Sequence, residues 1–350
     1  MQDSTQNITD NTKTGFSFIQ ALNELISGFS ERSRAIIEAR YGLITGKPQT
    51  LEEIGKKHKI TRERVRQIIE ETLRKIGKME NSPLLSAVDE KMAFTLDEKN
   101  GIMEAEKTLS LLSRGNPQEK GALVFLLNFL GNVIHREIKG ELKKSYALPE
   151  FSVDDWKKLK NAARNILESE KRTLTSDELT IRISHRLGSS IAPRKIFDYL
   201  SVSEEIKKNN FSKWGLADWE ETTPKNTREK AYLVLKENGE PLHFVAIAKM
   251  IDKYGLSEKK THFQTVHNEL IKSDRFVLVG RGVYALAEWG YKEGTVKEVL
   301  EEILKKSAKP MKYEDIVSEV LKTRQVKKST VMINLNNFFA KVGKNEYSLR

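Results

Sequence analysis

The 350-residue sequence contains no cysteine and no long apolar run. Without cysteine the chain forms no disulfide, offers no thiol nucleophile and cannot build a cysteine-based zinc site. Its longest apolar stretch, Ala122–Leu130, is much shorter than the ~20 residues of a membrane-spanning helix. The polar N-terminus lacks the charged-then-apolar order of a signal peptide. We therefore expect a protein of the cytoplasm with no membrane contact.

Sequence motifs of catalysis are also missing. Gly42–Lys47 resembles a phosphate-binding loop, but it is too short, and Pro48 follows where a Ser or Thr should open a helix. The 6 histidines show no paired metal-ligand spacing, and no GxSxG nucleophile motif occurs. We expect no enzyme, no cofactor, no metal site and no small-molecule substrate.

The charge balance is basic. Lys and Arg number 60 against 49 acidic residues, which gives a net charge of +11. A basic excess attracts polyanions, nucleic acid above all, although solvated surface lysine accounts for the same composition. The hydrophobic fraction of 38% and the charged fraction of 31% are typical of several small domains with thin cores.

Two adjacent helices are predicted between residues 50 and 76. Thr50 and Glu53 have the spacing of a capping box, which begins the first helix. Thr61 is placed to cap a second helix that continues to Ile76. Helices paired in this way are typical of a helix-turn-helix.

The second of these helices has one apolar and one polar side at 3.6 residues per turn. The apolar side consists of Val65, Ile68, Ile69, Thr72 and Ile76. The polar side consists of Glu63, Arg66, Gln67, Glu70 and Arg74, flanked by Arg62 and Arg64. In a DNA major groove Arg pairs with guanine, Gln with adenine, and Glu accepts from cytosine. A surface helix with solvated charge pairs explains the same pattern, so the pattern alone leaves both interpretations open.

The residues from Phe16 to Ile76 resemble region 4 of the sigma-70 family of RNA polymerase initiation factors. The resemblance rests on FSERSRAIIEARYGL, on TLEEIG and on the recognition helix TRERVRQ. It implies that Arg62, Glu63, Arg66 and Gln67 would contact bases and phosphates of a promoter −35-like element. It also implies that the helices before Thr50 would offer a surface to the flap of the polymerase β subunit.

The sequence departs from the sigma family in two respects. Ile69 and Glu71 stand where the family usually has a glutamate and a basic residue, which lowers the local positive charge. No stretch of the sequence resembles the sigma region that melts the −10 element. We therefore expect a protein that recognises promoters without starting transcription by itself.

The rest of the chain contains an internal repeat of roughly 70 residues. Each copy has a lead helix, a short extended piece, two further helices and a β-like tail with an aromatic-x-Leu signature, which is the order of a winged helix. The predicted lead helices are Trp156–Glu170, Thr227–Asn238 and Thr295–Lys306. A weaker fourth copy is predicted over 84–152, with GIMEAEKTLSLL as its lead helix.

Residues 227–291 resemble a HARE-type winged helix, through GEPLHFVAIAKMI and FQTVHNELIKSDRFVLVGRGVYALAEWGY. Gly280 and Gly282 would permit the turn of a wing, and Arg281 at its tip is placed to contact a phosphate. The alternative is a wing that only packs the module and leaves Arg281 solvated. Tyr284 and Trp289 are predicted to be core aromatics. The HARE family contacts proteins as well as DNA.

A basic cluster precedes the last predicted helix. It consists of Lys322, Arg324, Lys327 and Lys328. Such a cluster can meet phosphates, although a solvated loop is the ordinary interpretation.

The predicted fold class is mainly α with small β wings, a sigma region 4-like helix-turn-helix followed by tandem winged helices. The predicted domains are a disordered tail (1–14), the helix-turn-helix domain (15–80), a helical domain that is a degenerate winged helix in one interpretation (81–155), a winged helix (156–222), the HARE-type winged helix (223–291) and a last winged helix (292–350).

The predicted function is sequence-specific binding of double-stranded, promoter-like DNA by a nucleoid-associated transcription protein. One alternative is an RNA polymerase accessory protein that acts mainly by protein contacts, as the delta subunit does. Another is the DNA-binding subunit of a defence or restriction system. The candidate DNA-binding residues are Thr61, Arg62, Glu63, Arg64, Arg66, Gln67, Arg74 and Arg281.

Overall fold

A computed structural model describes residues 16–79, 82–291, 294–323 and 326–350. The predicted N-terminal tail, 1–14, lies outside these residues. Two compact units are present. The first unit comprises the chain up to Ser169 together with Asp177–Lys207, and the second comprises Glu170–Ser176 together with Lys208–Arg350.

The first unit begins with a four-helix domain. Its helices are α1 (Phe18–Ile26), α2 (Glu31–Tyr41), α3 (Leu51–His58) and α4 (Arg62–Gly77). Each helix is capped at its start by the side chain of a Ser or Thr. The apolar face of every helix is buried in a common core, to which Leu22, Ile36, Ile54 and Val65 contribute fully buried side chains.

Residues 83–147 have the element order of a winged helix. The elements are α5 (Pro83–Asp97), β1 (Ile102–Glu104), α6 (Ala105–Leu112), α7 (Pro117–Leu126), β2 (Ile134–Ile138) and β3 (Leu142–Ala147). The antiparallel strands are arranged in the order β1-β3-β2. The lead helix predicted in GIMEAEKTLSLL was wrong, because that segment forms β1 and the second helix, α6. The lead helix is α5, which Pro83 begins.

The next copy of the repeat contains α8 (Val153–Glu170), α9 (Ser176–Leu187), α10 (Pro193–Ser201), β4 (Ile206–Lys208) and β5 (Trp214–Leu216). In the first unit, the buried indole of Trp156 donates a hydrogen bond to the carbonyl oxygen of Tyr199 (3.0 Å), which ties α8 to α10. In the second unit, the backbones of Leu174 and Trp214 form an antiparallel bridge.

The second unit contains two further winged helices. The first consists of α11 (Thr227–Asn238), β6 (Leu242–His243), α12 (Phe244–Lys253), α13 (Phe263–Ile271), β7 (Phe276–Gly280) and β8 (Val283–Leu286). The second consists of α14 (Val296–Ser307), β9 (Met311–Lys312), α15 (Tyr313–Thr323), α16 (Lys328–Phe338), β10 (Ala340–Gly343) and β11 (Glu346–Ser348). Their sheets have the same topology, β6-β8-β7 and β10-β11-β9.

The structure confirms the predicted fold class. The chain is mainly α with small β wings, and a helix-turn-helix precedes tandem winged helices. Tyr284 is buried and Trp289 packs against the same core, as predicted. The exact domain boundaries stay predictions. Among the described residues, no helix has the length and hydropathy needed to cross a membrane.

Candidate nucleic-acid interface

The turn between α3 and α4 is fixed by two backbone features. The capping box at the start of α3 forms as predicted, since the Thr50 amide donates to the Glu53 carboxylate (2.7 Å) and the Glu53 amide donates to the Thr50 hydroxyl (3.3 Å). At the other end Lys59 has a left-handed conformation (φ +53°). A Cβ at Gly55 would lie 2.8 Å from the Ile60 carbonyl oxygen. Glycine at position 55 therefore lets the turn close tightly.

The recognition helix α4 starts at a capped residue and exposes one face. The Thr61 hydroxyl accepts a hydrogen bond from the Arg64 amide (3.1 Å). Val65, Ile69, Thr72 and Ile76 are buried, which confirms the apolar face deduced from the periodicity. The candidate DNA-binding residues of the helix-turn-helix are all exposed: Thr61, Arg62, Glu63, Arg64, Arg66, Gln67 and Arg74.

The charges on this face are largely paired within the helix. The guanidinium of Arg66 contacts Glu63 (Nη2–Oε1 2.6 Å) and also the carboxylate of Glu70. The hydrogen bond from Arg66 lowers the pKa of the Glu63 carboxyl, and the same bond raises the pKa of Arg66. Arg64 donates to the amide oxygen of Gln67 (3.2 Å). The charge pairs of the alternative interpretation are therefore present on the same face that could contact bases.

Arg62 and Arg74 differ from Arg66. Neither side chain forms a hydrogen bond or an ion pair with any residue that the structure describes. Pairs between exposed groups contribute ~0–1 kcal/mol, so Arg66 can exchange its carboxylate partners for a ligand at little cost. Arg62 and Arg74 do not have to break any such pair.

The face of α1 and α2 is covered by α7 from the same unit. The carboxylate of Glu119 accepts hydrogen bonds from the Phe18 amide (2.7 Å) and the Ser17 hydroxyl (2.7 Å) at the start of α1. The rings of Tyr41 and Phe125 pack edge to face at 5.0 Å. The sequence did not indicate this packing, because the resemblance assigned the helices before Thr50 to an external partner.

Gly121 makes the contact between α2 and α7 possible. A Cβ at this position would lie 2.0 Å from the carbonyl oxygen of Tyr41. No real Cβ approaches an oxygen so closely, and the clashing atom belongs to the backbone. The glycine in the apolar run around Ala122 was the sequence signal that could have indicated a close helix contact.

The third helix of the next copy is also covered. In the first unit the carboxylate of Asp198 on α10 accepts a hydrogen bond from the Asn100 side chain (2.6 Å). Arg194, at the start of α10, donates to the carbonyl oxygen of Glu98. The outer side of α10 therefore packs against residues 98–104.

The HARE-type module presents its third helix and its wing to solvent. Arg281 is exposed at the tip of the β7–β8 hairpin. Gly282 follows it with φ +70°, and a Cβ there would lie 2.6 Å from Nε2 of His243. The exposed residues of α13 are Phe263, Gln264, Thr265, Asn268 and Ile271.

The basic cluster of the last module is only partly described. Lys322, Lys327 and Lys328 are exposed, and Lys322 forms an ion pair with Glu319 (2.5 Å). Arg324 lies outside the described residues. Lys327 and Lys328 stand at the start of α16, where they flank the first exposed turn of that helix.

Comparison with protein families finds two matches. Residues 25–78 match the family model described as Sigma-70, region 4. Residues 225–289 match the HARE-HTH model, which is described as a restriction endonuclease HTH domain. These matches confirm the two resemblances drawn from the sequence. The chain thus carries two domains of DNA-binding families, and each match covers a minor part of its length.

Individual relatives match only the first of these domains. The chain is 42% identical over 60 residues to the RNA polymerase principal sigma factor HrdD of Streptomyces griseus. The protein of the same name from Streptomyces viridifaciens matches to the same extent. The aligned residues are 17% of this chain and 18% of each relative. The similarity therefore concerns one domain and excludes most of the sigma factor.

Proposed function

We propose that this chain is a transcription protein that binds double-stranded DNA and recognises a promoter −35-like element through α3 and α4. The observation that carries the proposal is the exposed face of α4, which begins at the capped Thr61 and presents Arg62, Arg66 and Gln67 in its first two turns. The match to Sigma-70, region 4 over residues 25–78 supports it.

The chemistry of this face suits a major groove. Arg62 and Arg66 can donate two hydrogen bonds to a guanine edge, and Gln67 can pair with adenine. The backbone amides at the start of α4 and the helix dipole favour a phosphate near Thr61. Binding would separate Arg66 from Glu63 and Glu70. Because those carboxylates would repel phosphates, they also limit binding to unrelated DNA.

The proposal separates promoter recognition from promoter opening. The similarity to sigma factors is confined to a stretch of 60 residues, and no other part of the chain resembles the sigma segment that melts DNA. The chain would therefore place its winged helices beside a bound promoter without opening the duplex.

The test compares two arginine and lysine variants of the full chain. Arg66→Ala removes a candidate base contact, whereas Lys75→Ala removes an equal charge about two and a half turns further along α4, where Lys75 pairs with Glu71. Band-shift titrations with a −35-like duplex and a scrambled duplex measure the discrimination. We expect R66A to lower discrimination about tenfold and K75A to leave it unchanged. Equal binding of all duplexes by wild type, or equal behaviour of both variants, would contradict the proposal.

A second candidate function is that of an RNA polymerase accessory protein. The observation in its favour is the exposed apolar surface of the HARE-type module, where Phe263 is 45% and Ile271 is 63% exposed. The covered face of α1 and α2 counts against a contact with the polymerase β flap through those helices. Co-purification of polymerase with the full chain after nuclease treatment would support this function, and absence of any polymerase binding would exclude it.

A further inference from the structure

The wing of the last module matches that of the HARE-type module residue for residue. In β10–β11, Gly343 pairs with Glu346, and the register shifts after Lys341. In β7–β8, Gly280 pairs with Val283, with the same shift after Leu278. A cation therefore stands at the tip of each hairpin, Lys344 in one and Arg281 in the other. The residue after each cation has a left-handed backbone, with φ +65° at Asn345 and +70° at Gly282.

The third helices of the two modules also correspond. Val331 and Leu335 of α16 are buried, as are Val266 and Leu270 of α13. With these core positions aligned, three exposed residues of α16 match three exposed residues of α13. The matched pairs are Ser329 with Gln264, Ile333 with Asn268, and Asn336 with Ile271. Each helix thus exposes two hydrogen-bonding side chains and one aliphatic side chain on a single stripe.

The charge around this stripe has one sign. Exposed cations surround α16 and its hairpin: Lys327, Lys328, Lys341, Lys344 and Arg350. From Lys327 to Arg350 the sequence has a single acid, Glu346. The other described acids of the module lie on α14 and α15. A helix face of this kind complements a polyanion.

The two modules share a basic cleft. Its volume is about 460 Å³, and its lining includes Arg281 from the HARE-type wing together with Lys327 and Thr330 from the start of α16. No carboxylate is among the described residues that line it. The cationic surface therefore continues from one module to the other within the second unit.

We infer that residues 296–350 form a second DNA-binding winged helix beside the HARE-type module. In this arrangement α16 enters a major groove, where Asn336 can pair with adenine and Ile333 can contact a thymine methyl group. Lys328 and Lys344 contact phosphates on either side of the groove. The inference rests on the proposed function only in taking double-stranded DNA as the ligand.

The test uses the full chain, a long duplex that contains the −35-like element, and two matched double variants. Lys328→Ala with Lys344→Ala removes two cations from the proposed surface. Lys305→Ala with Lys306→Ala removes two exposed cations from α14, where they pair with Glu301 and Glu302. Thermal denaturation checks that both variants fold like the wild type.

We expect the first variant to bind the duplex about tenfold more weakly, to lower the slope of log affinity against log salt by about two, and to lose one protected segment in a hydroxyl-radical footprint. The control variant should keep the segment and most of the affinity. Equal footprints for the two variants would overturn the inference. Retained DNA protection in both, with loss of a protein contact in Ile333→Asp, would assign the face to a protein partner.

Two further variants separate the outcomes. Ser329→Ala with Asn336→Ala should reduce sequence preference within the lost segment and leave the salt slope unchanged. Arg66→Ala should affect only the −35-like segment. If R66A has no effect while K328A/K344A shortens the footprint, the proposed promoter recognition fails and this inference stands. The reverse pattern overturns this inference alone.

Discussion

The third helices of the winged helices differ between the two units of the chain. In the first unit α7 packs on α1 and α2, and α10 packs on residues 98–104, so neither helix offers its outer side to a ligand. In the second unit α13 and α16 expose theirs. The same order of elements therefore serves internal packing in one region and presents open surfaces in the other.

The composition of the helices explains the difference. The outer side of α7 contains Gly121, which permits a close backbone approach, and Glu119, which caps α1. The exposed stripe of α13 contains Gln264 and Asn268, whose amides have no apolar surface to fill. An element order alone therefore does not show that a winged helix binds DNA.

The largest effect is expected from Gly121→Ala in the covered region. The added methyl group would overlap the Tyr41 carbonyl oxygen, so α7 must move away from α2 at a cost of about 3 kcal/mol in the free energy of unfolding. Gly28→Ala is the matched control, since a Cβ there meets nothing within 4 Å. Urea denaturation and hydrogen exchange of the α2 amides measure the difference. Equal stability of both variants would show that the α2–α7 packing is not tight.

The wings allow a second comparison. Gly282→Ala in the exposed region places a Cβ 2.6 Å from His243 at φ +70°, whereas Gly140→Ala, in the β2–β3 turn, meets only the strain of φ +81°. We expect a loss of about 2 kcal/mol for G282A and about 1 kcal/mol for G140A. Hydrogen exchange of the β7–β8 and β2–β3 amides reports each wing separately. A larger effect at Gly140 would contradict the geometry.

Glu119 tests the contribution of side chains to the covered interface. In Glu119→Ala the start of α1 loses its acceptor for the Phe18 amide, and the free energy of unfolding should fall by about 1 kcal/mol. Glu119→Gln keeps one acceptor oxygen and should lose less. The exchange rates of the Phe18 and Ile19 amides are the direct measurement. If the two variants behave alike, charge rather than hydrogen bonding stabilises this end of α1.

The smallest effect on stability is expected on the exposed α13. Gln264→Ala with Asn268→Ala should leave the unfolding transition unchanged and weaken DNA binding about fivefold. Asp198→Ala on the covered α10 should show the opposite pattern, with DNA affinity intact and a loss of about 1 kcal/mol in stability. Titration with one duplex and denaturation of both variants complete the comparison. Similar DNA affinities for the two variants would argue against a DNA contact by α13.

Much of the local structure could be predicted from the sequence because it depends on neighbouring residues. The capping box of Thr50 and Glu53, the start of α4 at Thr61 and the buried stripe from Val65 to Ile76 follow from spacing alone. The lead helix of the copy at 84–152 was placed wrongly, since residues 101–112 have apolar spacing that suits a helix even where β1 begins. Strand pairing with β3 decides that point, and it involves residues far along the chain.

The environment of the candidate site could be predicted only in part. The exposure of Arg66 followed from periodicity, and its two carboxylate partners lie at i−3 and i+4, so both pairs were within reach of sequence reasoning. The contact of Glu119 with Phe18 was not, because it joins segments that share no pattern. The match between Lys344 and Arg281 was also hidden, since Asn345 replaces the glycine that marks the HARE-type wing.

The hydrogen bonds from the start of α1 to Glu119 have a consequence for synthesis of the chain on the ribosome. The helix-turn-helix leaves the ribosome first, but the acceptor for the Phe18 amide is translated about a hundred residues later. Until α7 has emerged, the outer surface of α1 and α2 lacks its cover. Completion of the N-terminal domain is therefore coupled to translation of the winged helix that follows it, and a nascent chain interrupted before Gly121 would expose apolar surface to chaperones.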